Sequence, residues 1–427
     1  VSDLPAPKAA TQHRHYVLLM VTLVFVVNYL DRQILSILLP SIKAEFHVSD
    51  SALGLLTGPA FVVFYATLGV PLALVADRVN RRNLIAGSLA LFSLMTVFCF
   101  YTVSFWQLLI ARIGVGVGEA GTGPSINAII ADLYPPKERA SALAIYSAGL
   151  NVGLLFAFFG GGWIAQYYGW RMAFLVSGVP GLILVLLFLF TVEEPRRGHS
   201  ESLADPGAAP GLVATAKFLW RQRSFRFLSL GTSMSAFGGY AAIAFVPSFL
   251  SRSHHMPPAE IGLLLSITTG IFGFIGTALS GIVADRVAKG DIGRSMLVPV
   301  AATFIGLPFA PFFYLSPDMT VVIVALAIPA FLGASYLGPA YSATQGLVPL
   351  RMRATAAAIL LFILNIIGLG LGPLTVGLES DALRPWLGQD SLRWALLSTT
   401  IPALVGAYFY WQSSRTLRQD MARAAAL

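Results

Sequence analysis

The chain has 427 residues, 56% hydrophobic and only 11% charged, whereas a soluble globular chain carries about 25% charged residues. That composition excludes an ordinary soluble domain and points to a membrane protein with many spans. The formal net charge of +8 does not imply a nucleic-acid partner, because Lys and Arg are spread over short loops rather than gathered on one domain. The single cysteine, Cys99, excludes an internal disulfide and a cysteine-built metal site. All six histidines (His13, His15, His47, His199, His254, His255) are expected in loops or at the termini, which speaks against an embedded histidine relay. No cofactor is expected.

Twelve apolar segments follow in chain order: 16–39, 51–75, 83–103, 105–131, 140–166, 170–191, 226–252, 258–284, 295–315, 319–346, 354–379 and 391–414. Each is long enough to cross about 30 Å of hydrocarbon at 1.5 Å per helical residue. No cleavable leader precedes the first run, so it is expected to stay as a helix. The expected division is an N-terminal bundle over 1–191, a linker over 192–225 and a C-terminal bundle over 226–427. The basic stretch "KFLWRQRSFR" at the end of the linker suits lipid headgroups.

With both termini on one side, that side holds 21 of the 28 Lys and Arg. The other side holds Lys43, Arg171, Arg252, Arg384 and Arg393. The positive-inside rule then places both termini in the cytoplasm.

The first span carries Asp31 and Arg32 in its middle, within "NYLDR". A charge at the centre of a membrane helix costs about 2.5–3.5 kcal/mol on insertion scales, so embedded charges mark function. Asn28, Asp31, Arg32 and Leu35 fall at i, i+3, i+4 and i+7, on one stripe. The fourth span carries Arg112 and Glu119, and its stripe runs Arg112, Gly116, Glu119, Gly123 and Asn127. Counting about 1.5 Å per residue puts Asp31 and Glu119 in the middle third of the membrane and Arg112 nearer the outer face.

The two halves repeat. "ALVADRVNRR" (73–82) recurs as "GIVADRVAKG" (281–290), and "RASALAIYSAGLNVG" (139–153) as "RATAAAILLFILNIIG" (353–368). Such duplication places a substrate site near the midplane between the halves. The positions corresponding to Asp31 and Glu119 in the second half are Gly239 and Gly333, so the ionisable residues are one-sided. Phe237, Tyr240, Tyr336 and Tyr341 read either as an apolar wall for a substrate or as ordinary packing around glycine. Glycines of the fifth and eleventh spans, among them Gly149, Gly153, Gly370 and Gly377, suit close helix packing.

The duplicated loops resemble those of the major facilitator superfamily, whose pattern is G-x-x-x-D-R-x-G-R-R. The second copy keeps its glycine (Gly281, Asp285, Arg286), whereas the first has Ala73 and Asn80 at the glycine positions. The resemblance implies an all-α membrane protein with twelve transmembrane helices in two pseudo-symmetric six-helix bundles. It implies that spans one and four face a central cavity, and that the loop acids contact helix N-termini as a cytoplasmic gate. The gate residues would be Asp77, Arg78, Arg81, Asp132, Arg139, Asp285 and Arg286. "NYLDR" together with "R-x-x-x-G-x-G-E-A" (Arg112 to Ala120) is similar to the Spinster-like transporters, which include carriers of sphingolipid-derived and lysophospholipid-type amphiphiles.

The reading that follows is a proton-coupled transporter of the bacterial inner membrane, monomeric, moving an amphiphilic lipid-like substrate by alternating access. Arg32 would pair with Glu119. Asp31 would carry the proton, with Glu119 and Arg112 completing a neutral set of two acids and two bases. Asn28, Asn127, Phe237, Tyr240, Tyr336 and Tyr341 would contact substrate. The alternatives are a proton-coupled symporter of a small organic anion and a membrane receptor that transports nothing. An enzyme is disfavoured, because no embedded Ser/His, metal-ligand or phosphate-cradling constellation is legible.

Overall fold

In the computed structural model, which describes residues 8–76, 78–195 and 211–425, the described chain is helical and contains no strand. Nine helical runs among the described residues are long and apolar enough to cross a membrane, and a tenth is the bent pair Ile292–Gly306 and Phe309–Leu315. The run Arg353–Ala424 contains both of the last two predicted spans. The fourth predicted span is present as two short helices, Phe105–Glu119 and Thr122–Leu133.

Local chemistry sets the ends. Ser49, Asn80 and Ser104 accept a backbone N–H from the first turn of the helix each precedes, which satisfies a donor that has no partner inside the helix. Gly169, at φ +85°, separates Pro136–Tyr168 from Trp170–Thr191, a backbone conformation that glycine adopts without steric cost. Helices also start earlier or run longer than predicted. Lys8–Phe46 extends well before the apolar run, so His13 and His15 are helical, and His254 is the last residue of Arg223–His254. The end of the expected linker forms a helix, Leu212–Arg221, and residues 196–210 lie outside the described part.

Burial is inverted relative to a soluble protein. Trp170–Thr191 buries Phe174, Ser177, Gly178, Gly181 and Phe188 while Ile183, Leu186, Leu187 and Phe190 are exposed. An exposed apolar face of this extent suits lipid. What is buried includes polar and charged groups: Asn28, Asp31, Asp50, Arg81, Arg112 and Glu119.

The chain forms two compact units, residues 1–38 with 63–204 and residues 39–62 with 205–427. In the first unit, Pro136–Tyr168 lies against Lys8–Phe46 through its glycines. A Cβ on Gly153 would sit 2.7 Å from the Val26 carbonyl oxygen. Gly153→Val is therefore expected to lower stability by about 1–3 kcal/mol or more, because backbone cannot yield as a side chain can. Gly160 has nothing within 4 Å, so Gly160→Val should leave the thermal midpoint of the purified protein nearly unchanged. In the second unit, the core gathers Leu219, Phe225, Met296, Leu347, Leu360 and Tyr410 from four helices and two connections.

Candidate functional site

The four embedded charges come together inside the first unit as two ion pairs. Arg32 donates to Glu119 Oε2 through Nε at 3.2 Å and through a second, shorter contact from its terminal nitrogen. Glu119 is wholly buried, and the Arg32 side chain is 8% exposed. The guanidinium also lies over the Tyr65 ring at 4.7 Å and the Tyr29 ring at 5.1 Å, an attraction worth about 2 kcal/mol where water is absent.

Glu119 needs this cation for a local reason. It is the last residue of Phe105–Glu119, at the negative end of the helix dipole, which is unfavourable for a carboxylate. The Thr122 hydroxyl donates to the Glu119 carbonyl oxygen at 2.8 Å and bridges the break to the next helix.

Arg112 makes the second pair. Its Nη1 lies 3.6 Å from Asp31 Oδ1 and donates to the Asp31 carbonyl oxygen at 3.3 Å. Both side chains are almost entirely buried. Neither Asp31 carboxylate oxygen accepts a hydrogen bond from the described residues. The nearby Thr96 hydroxyl donates instead to the Phe92 carbonyl oxygen. The two acids thus differ: Glu119 is tied by hydrogen bonds to its cation, whereas Asp31 faces its cation across a longer ionic contact.

The predicted residues divide as follows. Arg32, Glu119, Asp31 and Arg112 converge, and Arg112 reaches Asp31 although counting along the helix set it nearer the outer face; the length of the Arg side chain closes that gap. The stripe on the fourth span does not continue past Glu119, because the helix breaks at Ala120 and Gly121. Asn28 is buried beside Asp31 on its helix, whereas Asn127 is exposed. In the second unit, Phe237 and Tyr240 are half-buried, and Tyr336 and Tyr341 pack against that unit's apolar core. Sequence reasoning missed Tyr65, because no spacing rule ties the second span to a cation on the first.

Among the residues of the predicted gate, Arg81 is buried and bridges Asp132 at 2.5 Å and Glu194 at 2.9 Å. Glu194 also accepts the Arg82 N–H at 2.8 Å, and the Pro195 carbonyl accepts from Arg81. Arg139 donates to the Ala131 carbonyl oxygen at 2.9 Å. Arg78, Asp285 and Arg286 are exposed, and Asp77 lies outside the described residues. Glu194 was not anticipated; it lies at the start of the linker, far in sequence from both partners.

Comparison with known proteins gives the family. The Major Facilitator Superfamily model matches residues 21–373. An MFS-type efflux pump of Mycolicibacterium smegmatis is 35% identical, covering 95% of this chain and 94% of its own. Protein spinster homolog 1 of Homo sapiens is 30% identical over 89% of this chain and 76% of its own. The crystal structure of a bacterial homologue of the human lysosomal transporter Spinster, inward-facing and unoccupied, superposes with a TM-score of 0.88. It is 32% identical and covers 96% of this chain and 98% of that one. The chain belongs to the Major Facilitator Superfamily, as a Spinster-like membrane transporter.

Proposed function

We propose that this transporter couples substrate movement to protons by alternating access, and that Asp31 is the group that gains and loses the proton. The observation that carries the reading is the buried pair of ion pairs in one unit, with Asp31 the acid whose carboxylate accepts no hydrogen bond from the described residues. Desolvation favours the neutral form of a carboxylate and a nearby cation favours the charged form. An acid held between these two effects can change protonation when solvent access or substrate changes. A set of two acids and two bases is neutral when Asp31 is ionised and gains one positive charge when it is protonated. Protonation therefore alters the field that a charged substrate head meets.

The substrate class supported best is an amphiphile of lysolipid or sphingoid type, its polar head at the charges and its tail along apolar side chains. The Lys and Arg of the second half lie at the ends of its predicted spans, as Arg226, Arg252 and Arg393 do, and none lies mid-span, which disfavours a tight cage for a small organic anion. The efflux-pump relative supports export as the direction. The distribution of Lys and Arg supports an inner-membrane protein with cytoplasmic termini, working as a monomer.

The test is proton flux into proteoliposomes, followed with a trapped pH dye, on addition of lysophospholipids, sphingoid phosphates or small organic acids. Substrate-dependent flux with the lipid-like compounds alone supports the reading. Flux with organic acids alone overturns the substrate class, and flux with none of them overturns proton coupling to these substrates.

A further inference from the structure

The cluster around Arg81 has a counterpart in the other half of the chain. "VADRVNRR" (75–82) recurs as "VADRVAKG" (283–290), "DLYPPKER" (132–139) as "GLVPLRMR" (346–353), and "WRMAFLVSGVPGL" (170–182) as "LRWALLSTTIPAL" (392–404). In these registers Lys289 stands where Arg81 does, but Gly346 replaces Asp132 and Thr416 replaces Glu194. The first copy is neutralised from within, because Asp132 and Glu194 pair with Arg81. The second copy keeps a cation and lacks both acids.

In the second unit this place is an open cavity of about 380 Å³, with Lys289, Asp291, Arg294 and Arg418 in its lining. The three cations are exposed. Asp291 is already engaged: its carboxylate accepts the Gly293 N–H at 2.9 Å and faces Arg294 across 3.9 Å. Neither Lys289 nor Arg418 forms an ion pair among the described residues. The walls are fixed. The short helix Ile292–Ser295 meets the last helix without room for a methyl group, since a Cβ on Gly293 would lie 2.8 Å from the Ser414 carbonyl oxygen. Lys289 itself is held at φ +41°, a left-handed backbone that is costly for a residue with a long side chain. Cations gathered at a cavity without enough acid to balance them attract an external anion.

The last helix indicates the source of that anion. Ile401, Leu404, Tyr408, Trp411, Arg415 and Arg418 fall three or four residues apart on Thr400–Ala425 and are all exposed, so they share one stripe. Its apolar part suits acyl chains. Its aromatic part suits the headgroup level, and the Arg415 guanidinium lies 5.0 Å from the Trp411 ring centre. The stripe ends at the cavity with Arg418. A soluble anion would gain nothing from it.

We propose that the cavity binds the phosphate of an anionic phospholipid, which supplies from outside the negative charge that Asp132 and Glu194 supply in the first copy. The bound headgroup ties the loop after Gly273–Ala288 to the last helix. The inference depends neither on proton coupling nor on the identity of the transported substrate.

Its test is native mass spectrometry of the full-length protein in an uncharged detergent, titrated with phosphatidylglycerol, phosphatidylcholine and glycerol 3-phosphate. Phosphatidylglycerol should bind the parent about tenfold or more tightly than it binds Lys289→Asn/Arg418→Gln; asparagine tolerates the left-handed backbone. Phosphatidylcholine should bind both alike, and more weakly than phosphatidylglycerol binds the parent. Arg351→Gln/Arg353→Gln, which removes two exposed cations outside the lining, should match the parent. Equal phosphatidylglycerol affinity in the parent and the cavity variant overturns the site. An equal loss in Arg351→Gln/Arg353→Gln overturns it too, because bulk charge then accounts for the effect. Phosphatidylcholine binding the parent as tightly as phosphatidylglycerol overturns the anionic headgroup. Displacement of phosphatidylglycerol by an equal concentration of glycerol 3-phosphate overturns the lipid and assigns the cavity to a soluble phosphate compound. Should the double variant fail to fold, Arg418→Gln alone, on an exposed helix face, carries the same comparison.

Discussion

Asp31→Asn is expected to reduce substrate-driven proton flux in proteoliposomes to that of empty vesicles while the protein stays folded. Asn has the shape of Asp but cannot exchange a proton in this range. The substitution breaks no hydrogen bond to the carboxylate, because the described residues supply none. Arg112 loses an ionic partner at 3.6 Å but keeps its bond to the Asp31 carbonyl oxygen. Substrate binding should therefore survive within about tenfold, a change of about 1.4 kcal/mol. Binding measured by calorimetry and flux measured by dye separate the two effects. Retained coupling with normal stoichiometry would move the proton to another residue.

Glu119→Ala is expected to produce the largest loss of stability, about 3–5 kcal/mol, because it strands the Arg32 charge in a dry site. Arg32→Ala should cost a similar amount by stranding Glu119 at a helix C-terminus. The double variant removes both charges together, so its loss should fall short of the sum by about 1–3 kcal/mol, the coupling of residues in contact. Arg32→Lys should not restore the parent value. An ammonium ion can neither keep both contacts to Glu119 nor cover the Tyr29 and Tyr65 rings as the guanidinium does. Denaturation of the parent and the four variants in one detergent checks this, and strictly additive losses would show that the pair acts as two separate groups.

The sequence carries the spans because hydropathy is local and strong: 170–191 coincides with the helix Trp170–Thr191. It also carries the Arg32–Glu119 pairing, since stripe positions plus a family architecture leave few partners for a buried cation. What it does not carry is any contact chosen by side-chain reach or by distant packing. Arg112 bends to Asp31 over a gap that counting residues treats as a difference in depth. Glu194 joins Arg81 from a stretch that reads only as polar linker. Asp50 looks like one more acid at a helix start, because Arg252 and Ser380, which bond to its carboxylate, are about 200 and 330 positions away in sequence and no periodicity links them. Interruptions inside spans were also invisible. The π-helical turns Ser266–Phe272 and Asn365–Leu371 keep the apolar character of their surroundings, so hydropathy passes over a feature that often marks function.

The most direct measurement is infrared difference spectroscopy of the purified transporter between alkaline and acid buffer, reading the carbonyl stretch of a protonated carboxylic acid. Assignment of the proton to Asp31 predicts that this band is present in the parent protein, absent in Asp31→Asn and retained in Glu119→Gln. A band that persists in Asp31→Asn and vanishes in Glu119→Gln would contradict it and assign the proton to Glu119.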